Sequence, residues 1–150
     1  MSEEVLEVYL NAAKSFVAVA ASAKPSDLIK RSNPEEWNGA FIIHHMADFE
    51  IHFAHRFLRI LTEDAPKIDS YDEALYPTSL NYESRDLTFS LSNILALRTY
   101  IYNTITNLES AVLDRPVIHP VKGEITLKDI LQYSNGHLLD HTDQLKNVIA

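Results

Sequence analysis

The spacing of apolar residues over positions 38 to 62 leaves few folds open. Ile42, Met46, Phe49, Phe53, Phe57 and Ile60 recur at intervals of three and four. Side chains at that period return to one side of an α-helix, so the segment is predicted to be a helix whose single apolar stripe must be buried. Three other segments read the same way. Residues 2 to 23 carry Val5, Tyr9, Ala12, Phe16 and Val19 and stop at Pro25. Residues 85 to 114 carry Leu87, Leu91, Ile94, Ile101, Ile105, Leu108 and Val112, with Arg98 inside the stripe. Residues 126 to 149 carry Leu127, Ile130, Ser134, His137, His141, Leu145 and Val148. Four such helices bury their stripes most simply as an all-α four-helix bundle of antiparallel neighbours, and 150 residues suit one domain, 1–150.

The helix boundaries have their own chemistry. Asn38 is placed to cap the second helix, and Thr126 with Asp129 three residues on has the form of a capping box opening the fourth. Asn135-Gly136 would ordinarily read as a helix stop, yet Leu138, Leu145 and Val148 keep the period beyond it. The expectation is a continuous helix in which Gly136 permits a close approach. The connector 64–85 contains Pro66, Pro77, Tyr71, Tyr76 and Tyr82 and is long for a structureless loop. It is expected to hold a short helical turn near 71–75, to cover part of the bundle and to shape substrate choice, and its length also allows an unconventional connection order. Pro116, Pro120 and Gly123 mark a last linker.

Charge and cysteine content narrow the chemistry. A net charge of −8 with no concentrated stretch of Lys and Arg argues against nucleic acid and against an anionic membrane surface. With no cysteine, any metal must rest on imidazole and carboxylate, and a cytoplasmic protein is expected. Ala18-Val19-Ala20 resembles a cleavage site, but Glu3, Glu4 and Glu7 lead it and Asn11 and Lys14 interrupt the apolar run, so no signal peptide is expected. No uninterrupted run reaches the length of a membrane span.

Histidines are the polar residues with most to explain. At about 100° per residue, His45 and His52 fall on one flank of the second helix's stripe, Asp48 lies farther round that flank, and His44 points away from the core. On the fourth helix His137 and His141 are four apart and share a face. Two imidazoles at that spacing can converge on a divalent cation, although two hydrogen-bonded core histidines would show the same pattern. His45 is the candidate third ligand, since a neighbouring helix presents its flank to the same crevice. His44, His55 and His119 read as surface or loop residues, and Trp37 as a packing anchor. Arg98 either snorkels to solvent or lines a cavity and meets an anionic ligand.

Glu36-Trp37-Asn38, then His45-Met46-Ala47-Asp48, then His137-Leu138-Leu139-Asp140-His141-Thr142-Asp143-Gln144-Leu145 together resemble the DinB-like family of metal-binding four-helix bundles. The likeness covers nearly the whole chain in helix order and spacing. It departs from the family at Asp140, where many members carry a further histidine. The resemblance implies a divalent metal ion, Zn or Ni, on His45, His137 and His141, with a coordination position left open. Asp48 would orient a ligand ring or a water on the metal, and His52 would border the same cavity. It further implies a small-molecule substrate and homodimer formation. The activity first expected is thiol S-transfer to an electrophile, with the sulfur supplied by a low-molecular-weight thiol. A metal-dependent hydrolase and a non-catalytic, stress-related binding bundle are the alternatives.

Overall fold

The fold was obtained as a computed structural model and describes residues 2–150. Six α-helices run Ser2–Ser22 (α1), Pro25–Ile29 (α2), Gly39–Thr62 (α3), Tyr76–Ser79 (α4), Leu87–Thr106 (α5) and Leu127–Ile149 (α6), and two short strands run Pro116–His119 (β1) and Gly123–Thr126 (β2). The four long helices form the expected bundle. Asn38 caps α3 by accepting from the Phe41 amide, and Thr126 and Asp129 cap α6 reciprocally. Pro25 ends α1 and starts α2. α6 passes Asn135-Gly136 without a break, but a Cβ at Gly136 would meet nothing within 4 Å, so the close approach expected there is absent.

Helix direction departs from the simple expectation. Contacts between α3 and α5 climb together: His44 meets Ser90, the Ala47 carbonyl accepts from Asn93, and Glu50 meets Arg98. Those two helices therefore run parallel. Between α3 and α6 the order reverses, with Gly39 against Leu145, His45 against His137 and Phe53 against Tyr133. Around the bundle α1 lies beside α5 and α6, and α3 completes the square between them, so α1 and α3 face each other across the core. The chain must then travel back along the bundle between Thr62 and Leu87 before it can descend again.

That return segment is pinned largely by side chains. 3₁₀ turns at Glu73–Leu75 and Tyr82–Ser84 flank α4. Tyr82 donates to Asp48 Oδ2 at 2.5 Å, Arg85 donates to Asp48 Oδ1 at 2.8 Å, and the Tyr76 hydroxyl lies 2.7 Å from His52 Nε2. The predicted third helix is shorter than 85–114. It ends at Thr106, after a run rich in Thr, Ile and Asn that favours helix less than Leu or Ala does, and a 3₁₀ turn follows at Ser110–Asp114. The last linker is a β-hairpin, Pro116 opposite Thr126 and His119 opposite Gly123, with Ile118 also bonded to the backbone at Pro66 and Ile68.

Arg98 neither snorkels nor faces a ligand cavity. It is fully buried and donates to Glu50 Oε1 at 2.8 Å on α3, the Tyr9 carbonyl at 2.9 Å on α1, and Ser134 on α6. Its guanidinium also lies 4.3 Å from the Tyr9 ring centroid. One cation thus ties all four long helices together. Glu50 belongs to the buried face of α3, so the opposite charge it requires was present in a second stripe. By length and composition α1 is the one helix among the described residues able to cross a membrane, over Glu4–Ser22 at mean hydropathy 1.2. That exceeds what the search for an uninterrupted run suggested, yet Val5, Tyr9, Ala12, Ala13, Phe16 and Ala20 are buried in the bundle.

Candidate metal centre

α3 and α6 run antiparallel, which sets His45 on one helix opposite a pair of rings one turn apart on the other. His45 Nε2 lies 3.2 Å from His137 Nε2, and one ligand atom from each of His45, His137 and His141 falls within 4.8 Å of the others. Bonds of about 2.0–2.1 Å in a tetrahedral set separate ligand atoms by roughly 3.4 Å, so the first pair already stands at that spacing. His141 Nδ1 lies 2.7 Å from Gln144 Oε1. An amide oxygen only accepts, so Nδ1 carries the proton and Nε2 keeps its lone pair. Gln144, a full member of the motif, thereby sets which nitrogen of His141 can bind.

Packing holds the other two rings. Trp37 lies 5.0 Å from the His45 ring, and Phe49 stacks on His137 at 4.3 Å. Burial, followed by the nearby His141 and His137, pushes His45 down to about 3; burial and His141 push His137 down to about 4, with Asp140 opposing. Both rings are neutral near pH 7 and offer lone pairs, as a metal requires. The donor set suits a divalent transition-metal cation.

A stability prediction follows from these shifts. Unfolded histidines take up a proton near pH 6.5. In the fold His45 resists to about 3, and His137 and His44 to about 4. Between those values the unfolded chain binds more protons, so stability is fully present above about pH 6.5 and is lost as pH falls. Chemical denaturation with a chelator present should show a loss on the order of 1–2 kcal/mol per ring between pH 7 and pH 5. A flat profile over that range would contradict the buried, neutral assignment.

Other predicted residues sit differently. His44 is not at the surface: it is 1% exposed, with Nδ1 2.8 Å from Ser90 Oγ and its ring against Tyr82. α5 and the return segment cover the side of α3 that a one-stripe reading gives to solvent. Asp48 is engaged by the return segment, with one oxygen accepting from Tyr82 and the other from Arg85. His52 stacks at 3.8 Å on Tyr71, which lines the cavity faced by His119, and meets the Tyr76 hydroxyl. His55 is exposed as expected. His119 is a lining residue rather than a bystander: its Nδ1 accepts from the Val121 and Lys122 amides, and it faces a cavity of about 300 Å³. Phe49, Arg56, Tyr71, Glu73 and Tyr133 also line this cavity. Sequence reasoning passed over Glu73, whose Oε2 lies 3.7 Å from His45 Nε2.

Fold and site together define a class of four-helix bundles with three imidazoles from two facing helices converging beside a ring-walled cavity. The sequence model of the DinB superfamily matches residues 9–145, and the chain belongs to that superfamily. A protein of Halalkalibacterium halodurans, named a candidate metal-dependent hydrolase, is 25% identical over 130 residues, 85% of this chain and 75% of its own length. One of Oceanobacillus iheyensis with the same kind of name is 30% identical over 112 residues, 73% of this chain and 64% of its own. Among solved structures, YfiT of Bacillus subtilis superposes with a TM-score of 0.87 at 22% identity, covering 98% of this chain and 85% of that one. It is described as having an unusual four-helix bundle topology, and the likeness extends to the fold.

Proposed function

We propose that this chain is a metal-dependent enzyme acting on an electrophilic small molecule, with a divalent cation, Zn or Ni, held by His45, His137 and His141. The observation that carries this reading is the convergence of three imidazoles, two of them pushed well below the usual histidine range and so neutral at pH 7, beside a cavity of about 300 Å³. A divalent cation bound there would lower the pKa of a neutral nucleophile sharing its shell and polarise a substrate oxygen. The chain's own residues do the rest. Gln144 fixes the His141 tautomer, Phe49 and Tyr133 stack against His137, and Arg56 and Lys122 line the cavity together with Asp72, Glu73 and Asp129, so that its wall offers both charges to a substrate.

Hydrolysis is placed first because the relatives carry that name. Thiol S-transfer is the second reading. It rests on the resemblance to the DinB-like family, and because the chain has no cysteine any sulfur nucleophile would arrive as a cosubstrate. Elemental analysis of protein purified without a metal-affinity tag should find about one equivalent of a divalent metal. Metal-loaded protein is then offered small esters, amides and an electrophile, with and without low-molecular-weight thiols. Consumption without thiol supports hydrolysis, and consumption only with thiol supports transfer. Metal-free protein as purified that also takes up none in titration would sink both readings, and a loaded but inert protein would leave a binding bundle.

A further inference from the structure

The carboxylate nearest the triad belongs to neither histidine motif. Glu73 opens a 3₁₀ turn capped by the Asp72 side chain, and its Oε2 stands 3.7 Å from His45 Nε2. That distance is too long for a hydrogen bond. A carboxylate that approaches an imidazole this closely without hydrogen-bonding to it has another reason to be there.

Two observations supply one. Ligand atoms of a tetrahedral cation with bonds of about 2.0–2.1 Å stand roughly 3.4 Å apart, and Oε2, 3.7 Å from His45 Nε2, lies close to that spacing from one ring of the triad. The backbone on both sides of Glu73 is also anchored to α3: Tyr71 stacks on His52 at 3.8 Å and the Tyr76 hydroxyl lies 2.7 Å from His52 Nε2. Glu73 is thereby held over the helix that carries His45, while its side chain stays 50% exposed and lines the cavity.

We propose that Glu73 is a fourth, displaceable ligand to the cation, delivered by the return segment and released when a small molecule enters the cavity. This rests on the three-histidine reading above. It makes the resting centre closed, with the carboxylate occupying the position that a substrate or cosubstrate donor atom later takes. The return segment then couples cavity occupancy to coordination.

Co²⁺ serves as probe, added to chelator-stripped full-length protein and followed by calorimetry and visible absorption. Wild type should bind it. Glu73→Gln should bind at least about tenfold more weakly, with an altered visible spectrum that added acetate shifts back toward wild type. Glu73→Asp keeps a carboxylate on a shorter arm and should fall between them, which preserves the test should the amide variant fold poorly. Melting of the metal-free variants should match wild type, because the side chain is half exposed. Affinity and spectrum unchanged in Glu73→Gln, with binding abolished in His137→Ala, would overturn the fourth ligand and leave the triad standing. No Co²⁺ uptake by wild type would overturn both.

Discussion

Arg98→Met should lower stability by about 3–5 kcal/mol, a large share of the roughly 5–15 kcal/mol available to a domain of this size. The methionine fills similar space, but Glu50 is left fully buried with no countercharge, and carbonyls on α1 and α6 lose their donor. Glu50 then has to hold a proton, the direction in which its burial already pushes it against the opposing effect of Arg98. The melting temperature is expected to drop on the order of 10 °C or more. Arg98→Met combined with Glu50→Leu should recover much of the loss, because exchanging a whole buried pair for apolar packing costs far less than breaking it. Equal losses in the single and double variants would show that the guanidinium's other bonds, not the charge, dominate. The same variant tests the site indirectly. Glu50 lies five residues beyond His45, and Ser134 lies three before His137, so Arg98 braces the helices that set the two rings opposite each other.

His137→Ala and His141→Ala should each abolish tight binding of the divalent cation while leaving metal-free stability close to wild type. Neither side chain is at the centre of the core, and losing either one leaves the cation a single ring on each of two helices. Fluorimetric melting makes the contrast visible. A cation at about 1,000 times its dissociation constant stabilises the folded state by about 4 kcal/mol, and that increment should vanish in both variants. His44→Gln should keep it, because that ring is committed to Ser90 and Tyr82 on the other side of α3. Gln144→Ala should weaken binding by about 10- to 100-fold, since it frees the His141 tautomer without removing a ligand. A metal shift that survives in His137→Ala and disappears in His44→Gln would reverse the assignment of the adjacent rings.

The four helices were legible because burial imposes a period, and Asn38, Thr126 and Asp129 marked two starts through backbone groups they had to satisfy. The three site histidines were legible for a different reason: fixed spacing on α6 and a shared motif on α3. Direction was not, since a stripe looks alike whichever way its helix runs, and only pairs such as Ala47 with Asn93 reveal that α3 and α5 are parallel. The misplacement of His44 has the same root. Residues Gly39 to Glu50 are all buried, so a single apolar face was the wrong description for the first half of α3, where Ala40-Phe41-Ile42-Ile43 already makes the segment apolar all round. Glu73 carried no signal in spacing, because its place depends on how a connector folds over a helix rather than on any repeat. The hairpin did carry one, in Val117-Ile118 and Ile125-Thr126 either side of Gly123, β-branched pairs bracketing a turn residue.

The parallel course of α3 and α5 has a consequence for divergence. A bundle of up-and-down helices joins its members by tight loops and has little chain near its middle that is not helix. Here residues 63–86 must make a journey comparable to α3 itself, roughly 35 Å, and the route passes beside the histidines. Most of that stretch is under no demand to keep a helical stripe, so its residues can change with little disturbance to the core. Relatives built on this topology could hold the same cation with the same two helices while each greets a different molecule at the door.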